Sequence, residues 1–173
     1  HDVGKPATKT VEASGRIRFL GHHTEGAQLT AEVLGRLRLG GRGIDLLTRM
    51  VEHHLRPSQM AQEGELPTPR AIFRYYRDLG DAGIDTLFLN LADYLAARGP
   101  ELDEAKWSEH CGIIGYILEQ GFAQESPGRM RQLIDGHDMM KLFRLEPGPR
   151  VGDLLELVRE AQASGEVGTR EEA

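Results

Sequence analysis

The residues best suited to chemistry stand at the start of the chain, where an adjacent imidazole and carboxylate are followed by a lysine. They are His1, Asp2 and Lys5. A neutral imidazole nitrogen and a carboxylate oxygen both bind divalent cations, and a nearby lysine can meet a phosphate held by the metal. The pattern predicts a metal site acting on a phosphate ester, with Asp2 and Lys5 as catalytic residues. The alternatives are a helix-terminal acid and a plain surface lysine.

Two pairs of adjacent histidines supply further candidate ligands, His22-His23 and His53-His54. At the second pair, neighbouring helical residues diverge by about 100°, so both can face one metal only if the helix end is bent. His53 and His54 are both retained as candidate metal ligands, one of them in a supporting or phosphate-facing position.

Asp93 is a further candidate ligand, because it lies in the otherwise apolar helical stretch 89–96. An unpaired acid is costly to bury, so a metal or a basic partner is expected beside it. The alternative to a metal is an ion pair with Arg98 or with a neighbouring helix.

The order His-Asp, His, His, Asp resembles the HD superfamily of metal-dependent phosphohydrolases. This resemblance favours His22 over His23 and implies a divalent ion, Mg, Mn, Fe, Ni or Co. The activity it implies is hydrolysis of a nucleotide or cyclic phosphate ester by metal-activated water. The implied metal ligands are His1, Asp2, His22, His53, His54 and Asp93.

Matches at both ends of the chain narrow the resemblance to bacterial tRNA nucleotidyltransferases, the CCA-adding enzymes, and to poly(A) polymerases. The chain is similar to their HD region and to their C-terminal, RNA-side region. The matching segments are residues 1–8, 15–22, 26–27, 135–140, 147–152, 160–165 and 169–173. The resemblance implies tRNA, or another RNA 3′ end, as a partner of the parent protein.

The same resemblance implies two features that these residues lack. One is the nucleotide-adding head domain with its paired aspartates, and the other is a histidine on a helix before the His-Asp dipeptide. We therefore expect the chain to be a piece of a longer protein, unable by itself to add nucleotides.

Composition indicates a globular domain without a membrane span. The chain has 173 residues, 39% hydrophobic and 28% charged, and no apolar run approaches the roughly 20 residues that a bilayer requires. A net charge of −6 argues against indiscriminate nucleic-acid binding. One cysteine excludes an intrachain disulfide and suits a cytoplasmic location.

Any RNA contact must therefore be local. Arg70, Arg74 and Arg77, spaced by four and three residues, form a basic stripe along one predicted helix that can track phosphates. A solvated helix face is the alternative. Arg150, just before the last predicted helix, is a further candidate, in a turn whose alternative role is to dock that helix.

The predicted fold is mainly α: an HD-domain helical bundle with one small β-hairpin, followed by a helical tail. The HD domain is expected over 1–98 and the RNA-side body and tail over 101–173. The hairpin is predicted over 8–12 and 16–20, and a polar loop over 58–68. Helices are predicted from residue 25 to a stop at Gly40-Gly41, over 44–55 before Pro57, and over 69–80, 83–97 and 104–124, then from about 128, and finally from about 150 to 165.

Three functions follow from these residues. The first is the metal-dependent phosphohydrolase. The alternative is a non-catalytic, RNA-positioning body and tail of a tRNA 3′-end nucleotidyltransferase whose HD site is vestigial. The third is a regulatory HD module that binds a nucleotide without turnover.

Overall fold

A two-stranded hairpin is the one sheet in the described part of the chain, and helices form the rest. The computed structural model describes residues 1–61, 65–123 and 132–173. The fold class is confirmed as mainly α with one small hairpin. The elements are α1 (Lys5–Thr8), β1 (Lys9–Val11), β2 (Ile17–Phe19), α2 (His22–Arg36), α3 (Gly41–His53), α4 (Arg56–Met60), α5 (Pro69–Leu79), α6 (Ala82–Arg98), a 3₁₀ turn (Gly99–Glu101), α7 (Glu104–Ala123), α8 (Gly136–Phe143) and α9 (Pro149–Ala163). Among these described helices, none has both the length and the apolar character needed to cross a bilayer.

The hairpin leads directly into α2. Its strands are antiparallel, with Lys9 opposite Phe19, and the chain then turns at Gly21 in the left-handed conformation, φ 76°. Glycine adopts this conformation without the steric cost that a side chain would carry. Because the Gly21 carbonyl accepts from the backbone N–H groups of Thr24 and Glu25, the helix is established at His22, three residues earlier than predicted.

The prediction that Pro57 ends the second helix is wrong. That helix, α3, ends at His53, and Pro57 lies near the start of the separate short helix α4. The first turn of a helix tolerates proline because the N–H group there needs no helical partner. The predicted exposed loop 58–68 is therefore partly helical and its Pro67 is buried, while residues 62–64 lie outside the described part.

The predicted start of α5 is confirmed. The Thr68 side chain accepts a hydrogen bond from the Ala71 backbone N–H at 3.2 Å, and Pro69 is the first helical residue. This is a side-chain N-cap followed by a first-turn proline. The helix then presents buried Ile72 and Leu79 to the core.

The main core joins α5, α6 and α7. Its buried side chains are Ile72, Tyr75, Leu79, Ala82, Leu87, Ile114 and Ile117. The Tyr75 hydroxyl donates to the Gly83 carbonyl oxygen at 2.6 Å, which satisfies the polar atom of a fully buried ring. The core therefore includes residues on both sides of the predicted boundary near Arg98, which stays a prediction.

A second, smaller core holds the C-terminal helices together around Ile134, Met139 and Val151. The short helix predicted from about residue 128 would begin outside the described residues, and the described helix there is α8. Its start is a reciprocal cap in which the side chains of Asp135 and Asp138 each accept a hydrogen bond from the other residue's backbone N–H.

Helix α1 packs against α2 through a very close approach at Gly4. A Cβ atom on Gly4 would lie 2.2 Å from the His22 carbonyl oxygen and 2.6 Å from the Gly26 backbone nitrogen. Both are backbone atoms, which cannot swing away as a flexible side chain can. Gly4 therefore allows the preceding His1-Asp2 dipeptide to lie against the start of α2.

Gly4→Ala is expected to lower the free energy of unfolding by about 1–3 kcal/mol, the usual cost of overpacking a tight contact. Urea denaturation measures it. The matched control is Gly35→Ala in α2, where an added Cβ meets nothing within 4 Å and should stabilise the helix by up to about 1 kcal/mol. Equal stabilities of the two variants would contradict the close approach.

Candidate metal centre

Four parts of the fold bring the candidate ligands together. His1 and Asp2 precede α1, His22 is the first residue of α2, His54 follows the last residue of α3, and Asp93 lies in α6. One ligand atom from each of His1, Asp2 and His54 lies within 4.8 Å of the others. The cluster is thus assembled from residues up to 92 positions apart.

Backbone carbonyl groups fix the orientation of two imidazole rings. His22 Nδ1 lies 2.8 Å from the Phe19 carbonyl oxygen, and His54 Nδ1 lies 2.7 Å from that of Val51. A carbonyl oxygen only accepts, so each Nδ1 carries the hydrogen and donates it. In their neutral forms both rings then have a lone pair on Nε2, the arrangement usual for metal-binding histidines.

These two Nε2 atoms face each other at 3.3 Å. Two lone pairs at that distance repel unless a proton or a cation lies beside them. The His54 side chain is fully buried, and this burial, with the neighbouring His22, lowers the pKa of His54. Because the neutral imidazole is favoured, a metal cation is the better match to the pair.

Asp2 supplies the negative charge beside this pair. Its Oδ1 atom lies 3.6 Å from His22 Nε2, is shielded from solvent and has no hydrogen-bond partner in the described part of the chain. Its Oδ2 atom lies 2.6 Å from Lys5 Nζ. A shielded carboxylate oxygen without a donor is costly, and a cation shared with the imidazoles would satisfy it. The residues present therefore fit a divalent metal.

Asp93 pairs with His1. The His1 Nε2 atom lies 3.1 Å from Asp93 Oδ1 and 3.4 Å from Asp2 Oδ2, so the imidazole bridges the two acids. The alternative ion pair of Asp93 with Arg98 is not the contact formed. Arg98 lies over the Tyr94 ring, 3.4 Å from its centroid.

The structure separates the two histidines of the second pair. His54 points into the cluster, whereas the charged neighbours of His53 are Glu52, Arg56 and Asp78. Burial lowers the pKa of His53, partly offset by Glu52. The expectation that one of the pair takes a different position is consistent with this placement, and His54 is the one beside the other ligands.

A supporting residue that the sequence reasoning missed is Asn90. Its Nδ2 group donates to the His54 carbonyl oxygen at 2.9 Å and contacts Ser58 Oγ at 3.0 Å, which ties α3 and α4 to α6. A sequence signal existed, since Asn90 lies three residues before Asp93 and is therefore on the same helical face.

The arginines of the predicted RNA stripe have acidic partners in the C-terminal part of the chain. Arg74 and Arg77 both bond the buried Glu160 of α9, at 2.8 Å and 2.9 Å, and Arg70 pairs with Glu166. The Arg74 side chain remains about half exposed. The stripe thus docks α9, and RNA contact by it stays a prediction.

Arg150 differs from the stripe. It lies in the first turn of α9 and is exposed, so its guanidinium group is accessible from solvent. Contact of Arg150 with RNA also stays a prediction.

The helical fold thus gathers histidine and aspartate side chains from the chain start, α2, the residue after α3, and α6 into a cluster that could hold a metal ion. A family model described as HD domain matches residues 1–98. The chain belongs to the HD domain family.

Similarity to curated proteins extends along the whole chain. The chain is 39% identical to an A-adding tRNA nucleotidyltransferase of Deinococcus radiodurans and 35% identical to a CC-adding tRNA nucleotidyltransferase of Thermus thermophilus. Both alignments cover all 173 residues of this chain. A CC-adding tRNA nucleotidyltransferase of Geobacter sulfurreducens is 36% identical over 62% of the chain and 22% of that protein. The chain spans only 38% and 36% of the length of the first two relatives. No solved structure gives a significant match.

The docking of α9 makes a testable prediction for the arginine stripe. Arg77→Gln and Glu160→Gln are each expected to reduce stability. The first removes a charged donor from the buried Glu160 carboxylate, and the second removes the negative charge that Arg74 and Arg77 share. The double variant should be less destabilised than the sum of the two, as contacting residues usually are. Thermal unfolding of the four proteins measures this, and strictly additive effects would contradict the pairing.

Proposed function

We propose that this HD domain is a divalent-metal-dependent phosphohydrolase site acting on nucleotide or cyclic phosphate esters. The observation that carries the proposal is the pair of facing Nε2 atoms of His22 and His54, 3.3 Å apart, beside the unpartnered Oδ1 of Asp2. Imidazole and carboxylate ligands together suit Mn, Fe, Co, Ni or Mg.

The proposed metal ligands are His1, Asp2, His22, His54 and Asp93. A divalent cation held there would lower the pKa of water and stabilise negative charge on phosphoryl oxygens. The protein contributes the orientation of the ligands, because the Phe19 and Val51 carbonyls fix the imidazoles of His22 and His54.

Lys5 has a separate proposed role. Its ammonium group lies 2.6 Å from Asp2 Oδ2 and is about one-third exposed, so it is both held in place and accessible to a substrate. A fixed positive charge beside the phosphate favours the more negative transition state over the ground state. Lys5 would therefore stabilise charge that develops as water attacks phosphorus.

A second candidate function concerns the longer protein. The similarity of this chain to tRNA nucleotidyltransferases extends past residue 98, through the helices that follow the HD match. It supports the proposal that the parent protein adds nucleotides to tRNA 3′ ends, with this chain as its body and tail. In that role the HD site would be vestigial and the segment would position RNA, with the exposed Arg150 as one contact.

The two functions differ in whether the chain hydrolyses a simple phosphodiester. With Mn²⁺, wild-type protein is expected to cleave bis(p-nitrophenyl) phosphate, and chelation should abolish the activity. His54→Ala should lower kcat/KM by at least roughly 100-fold, since loss of even a supporting contact to a metal ligand costs up to that much.

The matched control is His53→Ala, the adjacent residue whose neighbours lie outside the cluster, and it should retain activity within a few-fold. Equal losses in the two variants would contradict the assignment of His54. A wild-type chain that binds tRNA but cleaves no diester with any of the five metals would favour the positioning role.

A further inference from the structure

A cavity of about 210 Å³ lies beside the candidate metal centre, between α4, α6 and α7. It is lined by Leu55, Ser58, Ala61, Asn90, Asp93, Tyr94, Ala97, Arg98, His110 and Ile113. Asp93 belongs to both sites, and Leu55 directly follows the candidate ligand His54. A molecule whose phosphate lies at the metal centre can therefore extend into this space, which we name the Tyr94 cavity.

The Tyr94 cavity contains an imidazole with an unused hydrogen-bonding atom. His110 is 93% buried, and its ring stacks on Tyr94 at 4.3 Å with an interplanar angle of 16°. Its Nε2 has no hydrogen-bond partner among the described residues. Ser58 and Asn90, on the same wall, already bond each other. Leaving a buried polar atom unpaired costs free energy that a ligand hydrogen bond would recover.

The Tyr94 cavity is also lined by a planar cation, the guanidinium group of Arg98. The Arg98 guanidinium lies 3.4 Å from the Tyr94 ring centroid, and the Arg98 side chain is exposed. Guanidinium planes and aromatic rings are the groups on which proteins stack nucleobases. Burial and the charge of Arg98 lower the pKa of His110, so its neutral ring offers one donor and one acceptor.

We propose that the Tyr94 cavity binds the nucleoside part of the phosphate ester, with Arg98 and His110 recognising its base. The proposal rests on the phosphohydrolase function proposed above, because it places the phosphate next to Asp93. The cavity volume of about 210 Å³ is below the roughly 300–1,000 Å³ typical of drug-sized ligands, which favours a ligand part as small as one nucleoside.

The chain carries its own probe for this cavity. Trp107 is the single tryptophan, and its ring lies 5.5 Å from Tyr94 and 6.2 Å from His110. Titration of the metal-free protein with each of the four nucleosides should change the fluorescence of Trp107 saturably. Nucleosides carry no phosphate for the carboxylates of Asp2 and Asp93 to repel. This measurement needs no hydrolysis, so it tests the cavity even if the enzymatic proposal fails.

Two variants test where the nucleoside binds. Ala97→Leu adds bulk to the cavity wall and should abolish the fluorescence response, and His110→Phe keeps the aromatic stack but should weaken binding roughly tenfold, the usual cost of one lost hydrogen bond. Ala96→Leu, at an exposed position of α6 outside the lining, is the matched control and should bind as wild type. A wild-type chain that responds to none of the nucleosides, or an Ala97→Leu variant that responds as wild type, would overturn the proposal.

Kinetics separates this proposal from the one on which it rests. With Mn²⁺, Ala97→Leu should raise KM for nucleoside 2′,3′-cyclic phosphates at least roughly tenfold while cleaving bis(p-nitrophenyl) phosphate as wild type does. Loss of both activities to the same extent would contradict a nucleoside subsite. A wild type inactive on both esters would contradict the hydrolase function, and the binding data would then decide the cavity alone.

The source of the nucleoside is tested by a short RNA that ends in a 2′,3′-cyclic phosphate. If the RNA end is the physiological ligand, its KM should lie below that of the mononucleotide and should rise equally in Ala97→Leu. If a mononucleotide is the physiological ligand, its KM should lie below that of the RNA, and both KM values should rise in Ala97→Leu. An RNA insensitive to Ala97→Leu would show that its terminal nucleoside does not enter the cavity.

Discussion

The candidate site depends on two hydrogen bonds from imidazole Nδ1 atoms to backbone carbonyl oxygens. They fix His22 and His54 so that both Nε2 lone pairs converge at 3.3 Å, an arrangement that is unfavourable without a positive charge. The carbonyls belong to Phe19, at the end of the hairpin, and Val51, in the last turn of α3. The hairpin and the last turn of α3 thus position these two candidate ligands.

The rest of the fold brings the remaining groups to that pair. The close approach at Gly4 places the His1-Asp2 dipeptide against α2, and α6 presents Asp93 to His1. Helix α6 also packs on α7 in the main core, so the wall that carries Asp93 continues into the Tyr94 cavity. The candidate metal ligands and the Tyr94 cavity are therefore parts of one helix packing arrangement.

Much of this fold follows from sequence because local signals were strong. The apolar spacing of the helices, the alternating strands and the Thr68-Pro69 start each reflect interactions within a few residues. The candidate ligands were visible as residue types in an order. Sequence does not reveal which of His53 and His54 faces the cluster, because that depends on the residue at which α3 ends.

Two other features depend on contacts between residues that are far apart in sequence. Arg74 meets its partner Glu160 across 86 positions, so a basic stripe that suggests phosphate binding is used to dock a helix. His110 is buried because Tyr94 stacks on it from another helix, which residue type alone does not reveal. Hydrophobic periodicity predicts which face of a helix is buried, but it does not identify the partner.

The most direct test of the metal centre is anomalous diffraction from crystals of this chain grown with Mn²⁺. A difference peak is predicted within coordination distance of His22 Nε2, His54 Nε2 and an Asp2 carboxylate oxygen. It should be absent from crystals of Asp2→Asn grown in the same solution. The absence of a peak at this cluster in the wild-type crystals at saturating Mn²⁺, or a peak only elsewhere, would contradict the account.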